Sequence, residues 1–233
     1  MDYRRLEKIK RILQRRQPDL TLITDNVNNF RNLSSIIRSC EAVGIMEVHL
    51  VNNQQEKLYL INKVTAGAER WLTQTRHSSI VTGINHLKKK GFTIYATHLG
   101  DPEGICCAVR TLDYRKMDYT KPTAFVVGSE KKGISEEALE NADYHISIPM
   151  MGMTQSLNVS VATAIILFEA QRQREEKGYY QQLRMSQEIY EKTIFEWAYP
   201  EAALAYRANK KPYPPLTETG EIKRDYKSSK ASS

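Results

Sequence analysis

The chain has 233 residues, 41% of them hydrophobic, and a net charge of +7. That length suits one domain with extensions, and no run approaches the ~18–20 continuous apolar residues of a membrane span. Cys40, Cys106 and Cys107 have no zinc-site spacing, and MDYRRLEKIKRILQRR lacks a signal-peptide stretch, so a reduced cytoplasmic protein is expected, with no membrane and no metal.

Residues 4–16 place Leu6, Ile9, Ile12 and Leu13 on one stripe, a helix that Pro18 ends. Five β-rich runs follow: TLITDNV (21–27), EVHLVN (47–52), TIYATHL (93–99), TAFVVGS (123–129) and YHISIPM (144–150). Helical patterns at 33–42, about 57–70, 79–90 and 135–142 alternate with them, which predicts an open α/β sheet of parallel βαβ units. Segment 157–177 reads as one long helix, and 178–211 carries weaker helical periodicity. The tail PYPPLTETGEIKRDYKSSKASS is rich in Pro, Ser and charge and reads as disordered.

Charge is unevenly spread. Residues 1–16 hold seven Lys/Arg against two acids, 171–233 twelve against nine, and 17–170 fifteen against sixteen. Basic ends on a neutral middle suit a domain that grips a polyanion, and suit equally a solvated amphipathic helix with ordinary surface lysines. The dinucleotide, Walker, zinc-protease and hydrolase signatures are all missing.

Three other stretches stand out. In NLSSIIRSCEAVG, Asn32 is placed to cap a helix whose buried face is Leu33, Ile36, Ile37, Cys40 and Val43, with Gly44 ending it. Arg38 lies off that stripe, where an ion pair with Glu41 is the ordinary alternative. VVGSEKKGIS is a β-run ending in a glycine-flanked turn that holds Glu130. In IPMMGMTQSLNVS, Ser156, Asn158 and Ser160 open the long helix, more polar groups than a single cap requires.

In this order the three stretches resemble the knotted RNA ribose methyltransferases called SPOUT. Motif one, N-x-x-x-x-x-R, is matched by Asn32 and Arg38, and motif two, G-x-E-x-x-G, by Gly128, Glu130 and Gly133. Motif three, I-P-M-x-G-x-x-x-S-L-N-V-S, runs from Ile148 through Ser160. RRQPDLTL, YATHL, DYTKPTA and FEAQRQR are similar to the TrmH branch, the tRNA guanosine-2′-O-methyltransferases, so the resemblance covers most of residues 4–178.

The resemblance implies a parallel α/β sheet whose C-terminal part is a deep trefoil knot, with helical extensions at both ends. It divides the chain into a basic N-terminal helix for tRNA contact (1–17), a methyltransferase domain (18–178) and a C-terminal extension (179–233). It implies a homodimer, S-adenosylmethionine as cofactor, and cofactor contacts at Thr97, Gly128, Ile148 and Leu157. Arg38, Asn32, Glu130, Ser156 and Asn158 would be the catalytic group. The family assigns Arg38 to deprotonating the ribose 2′-hydroxyl. A guanidinium rarely gives up its proton, so holding the 3′-phosphate or stabilising the oxyanion is an equally physical role.

RNA contacts are expected from Arg5, Lys8, Arg11 and Arg16, from Arg31, which stands where the branch often has histidine, and from Arg172 and Arg174. The implied target is the D-loop guanosine at tRNA position 18. Methylation of ribosomal RNA or of another tRNA position, and RNA binding without catalysis, are the alternatives. The segment 100–117, longer than in close relatives, either enlarges a surface loop or covers the cofactor.

Overall fold

The computed structural model describes residues 2–52, 60–98, 111–129 and 132–223. The chain divides into two compact units, Gln17–Gly178 on one hand and Met1–Arg16 with Tyr179–Ser233 on the other.

The unit of residues 17–178 is built on seven strands: β1 Leu20–Asp25, β2 Glu47–Val51, β3 Thr73–His77, β4 Thr93–Thr97, β5 Leu112–Asp113, β6 Thr123–Gly128 and β7 Tyr144–Ser147. They lie in the order β3-β2-β1-β6-β4-β7-β5, and every pair is parallel. This is the α/β architecture expected from the sequence. Parallel central strands are covered on both faces, so β1 and β6 are buried along their whole length.

The two-residue period of a strand divides the core. Leu22, Tyr95, Phe125 and Val127 face one layer, with Leu33, Ile36, Ile37 and Cys40 of α2 (Phe30–Ala42) and Ile166, Leu167 and Ala170 of α6 (Val159–Glu176). Ile23, Ile94, Ala96 and Val126 point the other way, onto Ile80, Ile84 and Leu87 of α4 (Ile80–Lys89) and Ala138 of α5 (Glu136–Asn141).

Two strands were not anticipated. β3 is TQTRH, a polar edge strand without apolar alternation, and β5 has only two residues. The helix expected over about 57–70 is, within the described residues, a single turn, α3 Asn62–Thr65, followed by a 3-10 turn, Ala68–Trp71. Ala66 and Gly67 both stand at positive φ (52° and 83°), which no right-handed helix can pass through.

Arg174, near the end of α6, is completely buried. Its Nε donates to Tyr119 O, its Nη1 to Asp19 Oδ1 (2.6 Å) and Gln17 Oε1, and its Nη2 to Asp19 O and Lys121 O. All five guanidinium N–H donors are thus used, which is what makes burying the charge tolerable. The expected RNA contact at Arg174 is corrected: no donor remains for a phosphate.

At the β3 edge, His49, His77 and His86 pack with ring centroids 5.1 to 5.8 Å apart, and His49 Nδ1 lies 2.9 Å from His77 Nε2. Burial, joined by His77, His86 and Lys90, pushes His49 down from 6.5 to about 4 against the pull of Glu47. His77 is lowered too, first by burial and then by His86.

In the second unit, Leu6, Ile9 and Leu13 of α1 (Tyr3–Gln14) pack on Ile194 and Ala198 of α7 (Gln187–Ala198), which α8 (Pro200–Ala208) follows. Arg16 is 1% exposed and lies over the Trp197 ring at 5.2 Å, so the phosphate contact expected of it is also corrected. The tail expected to be disordered is ordered over its described residues, 212–223. Tyr213 stacks on Phe195 at 4.7 Å, Tyr199 donates its hydroxyl hydrogen to Gly220 O, and Leu216 bridges to Ile222. The Tyr213–Phe195 and Tyr199–Gly220 contacts join the tail to α7 and its cap, which composition could not reveal. Residues 224–233 lie outside the described residues.

Arg174→Met is expected to cost about 3–5 kcal/mol in urea denaturation, because it strands the Asp19 carboxylate, the Gln17 carboxamide and three backbone carbonyls. Arg174→Lys recovers little, having three donors in place of five. Arg172→Ala, on the exposed face of the same helix, leaves the unfolding midpoint near the native value. For His49 and His77 the folded state prefers neutral rings, while the unfolded chain protonates them near 6.5. Stability is therefore full above about pH 6.5 and erodes as pH falls toward 4. A series of denaturation midpoints across that range checks this, and His49→Phe flattens the slope.

Candidate active site

A cavity of about 350 Å³ opens at the carboxyl ends of three adjacent strands, β6, β4 and β7. Open parallel sheets place their ligand sites at this edge, where the loops leave the strands. Thr97, Gly128, Ile148 and Leu157, the expected cofactor contacts, all line it, as do Ser156 and Asn158. Residues 97–98, 128–129 with 133–134, and described residues of the stretch 146–159 converge there.

The wall from β6 depends on glycine. A Cβ at Gly128 would overlap the backbone of Gly133 and Ile134. Gly133 itself stands at φ 68°, and Ser129 and Gly133 exchange both backbone hydrogen bonds at 2.9 Å. The Thr97 hydroxyl donates to Val126 O (3.0 Å), which fastens β4 to β6 at the cavity floor. His98 N donates to Ile146 O (2.9 Å) and extends the β4–β7 pairing into the wall.

Asn158 is the N-cap of α6 and joins the cavity to α2. Its Oδ1 accepts from Ser160 N (2.9 Å) and Ser160 Oγ (2.6 Å), while its Nδ2 donates to Asn32 Oδ1 (3.2 Å). Asn32 does not cap α2, as its position suggested. Asn29 does, accepting from the amides of Arg31 and Asn32. With the cap supplied three residues earlier, Asn32 sits in the first turn and its carboxamide meets Asn158.

Arg38 is exposed on α2, and its Nη1 donates to Val64 O at 3.4 Å, so it does not line the cavity within this chain. Glu130 lies outside the described residues, as do Cys106, Cys107 and most of segment 100–117. Among the described lining residues none carries a carboxylate, an ammonium or a guanidinium. Such a lining can hold a ligand with an apolar body and neutral hydrogen-bonding groups; proton and charge chemistry must come from elsewhere.

Sequence reading missed His98, Ser129, Ile146 and Gln155, which also line the cavity. The first three flank strand ends, and the carboxyl-edge rule applied to the predicted strands would have found them. Of the expected RNA contacts, Arg5, Lys8, Arg11 and Arg31 are exposed. Arg172 is exposed but forked onto Glu169 and also paired with Glu176. These ion pairs also push its pKa further up, the Glu169 hydrogen bond most. No described helix is long and apolar enough to cross a membrane.

Comparison with known proteins bears on this geometry. Residues 19–168 match the model described as SpoU rRNA Methylase family, and residues 172–225 that described as SpoU, rRNA methylase, C-terminal. A curated relative from Thermus thermophilus, tRNA (guanosine(18)-2′-O)-methyltransferase, is 46% identical over 83% of this chain and 95% of its own. Among solved structures, the A. aeolicus TrmH/SpoU tRNA modifying enzyme superposes with a TM-score of 0.78 at 42% identity, covering 85% of this chain and 96% of that one. An AdoMet-bound rRNA methyltransferase from Sinorhizobium meliloti gives a TM-score of 0.58 at 29% identity over 70% of this chain and 59% of that one. The chain belongs to the SpoU methylase family.

Proposed function

We propose that this chain methylates the ribose 2′-hydroxyl of guanosine 18 in the tRNA D-loop, with S-adenosylmethionine as donor. The observation that carries the reading is the Asn32–Asn158 contact at the edge of a neutral, glycine-walled cavity. The cavity volume lies within the usual range for small-ligand sites, and the missing Cβ of Gly128 lets the Gly133–Ile134 backbone close in as its wall. Thr97, Gly128, Ile148 and Leu157 would hold the cofactor. When bound, it supplies an electrophilic methyl on a sulfonium.

The protein's own work is alignment and charge. Ser156 and the Asn32–Asn158 pair orient the ribose so that its 2′-oxygen faces the methyl in line. Arg38 holds the adjacent phosphate and stabilises the negative charge that grows on the 2′-oxygen as its proton passes to solvent water. We assign Glu130 to the same group.

Arg38 reaches the ribose from a second copy of the chain, because its own cavity does not include it. Val161 and Phe168, seven residues apart on one face of α6, are 48% and 50% exposed, and Met151 and Met153 in the preceding loop are almost wholly so. A homodimer would cover these apolar groups. The C-terminal trefoil thread that the motif resemblance implies belongs to the same proposal. The exposed Arg5, Lys8 and Arg11 of α1 and Arg31 of α2 supply phosphate contacts in a cytoplasmic enzyme whose extensions, 1–17 and 179–233, serve the RNA.

Transfer of labelled methyl to an unmodified tRNA transcript, with the product nucleotide mapped, tests the reading. Label on the 2′-oxygen of guanosine 18 supports it, and label only on ribosomal RNA or at another tRNA position discards the substrate. Arg38→Ala is expected to lower methyl transfer by about 10²-fold or more with an unchanged melting curve. Co-purified heterodimers of Arg38→Ala with Asn158→Ala regain activity that neither parent has, if the arginine crosses between subunits. Gly128→Ala raises the dissociation constant for S-adenosylmethionine at least about tenfold by calorimetry, since the added methyl displaces the Gly133 backbone from the cavity wall.

A further inference from the structure

β1 ends in Asp25, a carboxylate only 2% exposed and in register with Gly128 of β6 and Val51 of β2. Burying it is costly, so its two oxygens must find donors. They find them in different loops. Oδ2 accepts from the backbone N–H of Ser135 at 2.7 Å, 110 residues away in sequence. Oδ1 accepts from Asn26 Nδ2 at 2.9 Å.

Each donor belongs to one half of the site. Ser135 closes the loop that starts at Gly128 and supplies Ser129, Gly133 and Ile134 to the cavity wall. Asn26 sits at φ 55°, its own N–H held by Val51 O at 3.1 Å, and it forms the turn from which Asn29 launches α2. That helix carries Asn32 and Arg38. A left-handed asparagine next to a buried carboxylate is a specific turn, not a generic loop.

We infer that Asp25 is a positioning residue whose single carboxylate holds the cavity wall and the start of α2 in register, so that the cofactor's place and the ribose-orienting group stay aligned. The inference rests on the proposed methyl transfer for its kinetic reading, but the coupling itself is a property of the fold. It touches neither reactant. Its loss displaces groups that do, and misplacement by about 1 Å is enough to cost roughly 10²-fold in rate.

The test uses the full chain with Asp25→Leu, which keeps bulk and removes both acceptors, and Asp25→Asn, which keeps one acceptor toward Ser135 and can donate to a rotated Asn26 carboxamide. Hydrogen exchange is read over 26–33 and 128–138, alongside kcat, the KM for S-adenosylmethionine and tRNA affinity by filter binding. Asp25→Leu is expected to speed exchange in both segments together, raise that KM and lower kcat about tenfold or more, and leave tRNA affinity in place, while Asp25→Asn recovers most of the loss. Faster exchange in only one segment, unchanged kinetics in a folded Asp25→Leu, or faster exchange throughout residues 17–178 with equal loss of every function would each overturn the inference. A native protein that transfers no methyl at all sinks the proposed function instead, and the paired exchange then still decides the coupling.

Discussion

Arg174 and its five acceptors are the constraint on which the methyltransferase unit is arranged. The guanidinium binds Gln17 and Asp19, which lead into β1, and Tyr119 and Lys121, which lead into β6. One end of α6 is thereby locked to the amino ends of the two central strands. Sixteen residues back along a rigid helix, about 24 Å by helical rise, is Asn158 at the cavity. A buried ion pair adds little net stability against an apolar replacement, but it rejects every other register of the helix. That selectivity is what a site built from distant segments needs.

The sheet does the rest of the positioning. Because β1, β4, β6 and β7 run parallel, their carboxyl ends lie on one edge, and the loops that leave them meet there. Small residues and backbone bonds shape that edge: Gly128 against Gly133, Thr97 onto Val126, Asp25 onto Ser135. The described lining residues contribute no carboxylate, ammonium or guanidinium, which suits a cationic reagent that must be aligned without an ion pair fixing it in the ground state. On α2, Arg31 and Arg38 are exposed.

Much of this was legible in the chain. Five of the strands were visible as β-branched runs, and the long helix from 159 as an apolar stretch behind a polar cap. The order of NLSSIIRSCEAVG, VVGSEKKGIS and IPMMGMTQSLNVS carried the family and the cavity residues, because those residues answer to local backbone demands: a glycine where no Cβ fits, an asparagine where a helix begins. β3 escaped notice because an edge strand of Thr, Gln and Arg obtains its structure from pairing with β2, not from its own pattern. The cap of α2 was misplaced by one turn because Asn29 and Asn32 are chemically equal as caps; packing of α2 against α6 gives Asn32 its other partner.

The sequence by itself determined the parallel α/β class and the division into a neutral middle and basic ends, since each follows from composition or short-range periodicity, and the three motif stretches through their resemblance to a known family. Only the tertiary structure decided what the arginines do. Arg5, Arg11, Arg16, Arg38, Arg172 and Arg174 look alike in a string of letters. Folding leaves Arg5, Arg11 and Arg38 exposed, ties Arg172 to its helix neighbours, and buries Arg16 on Trp197 and Arg174 on Asp19. The physical reason is that a guanidinium is buried only where distant residues receive it: the acceptors of Arg174 lie 53 to 157 positions away and the Trp197 ring over which Arg16 lies is equally remote in sequence.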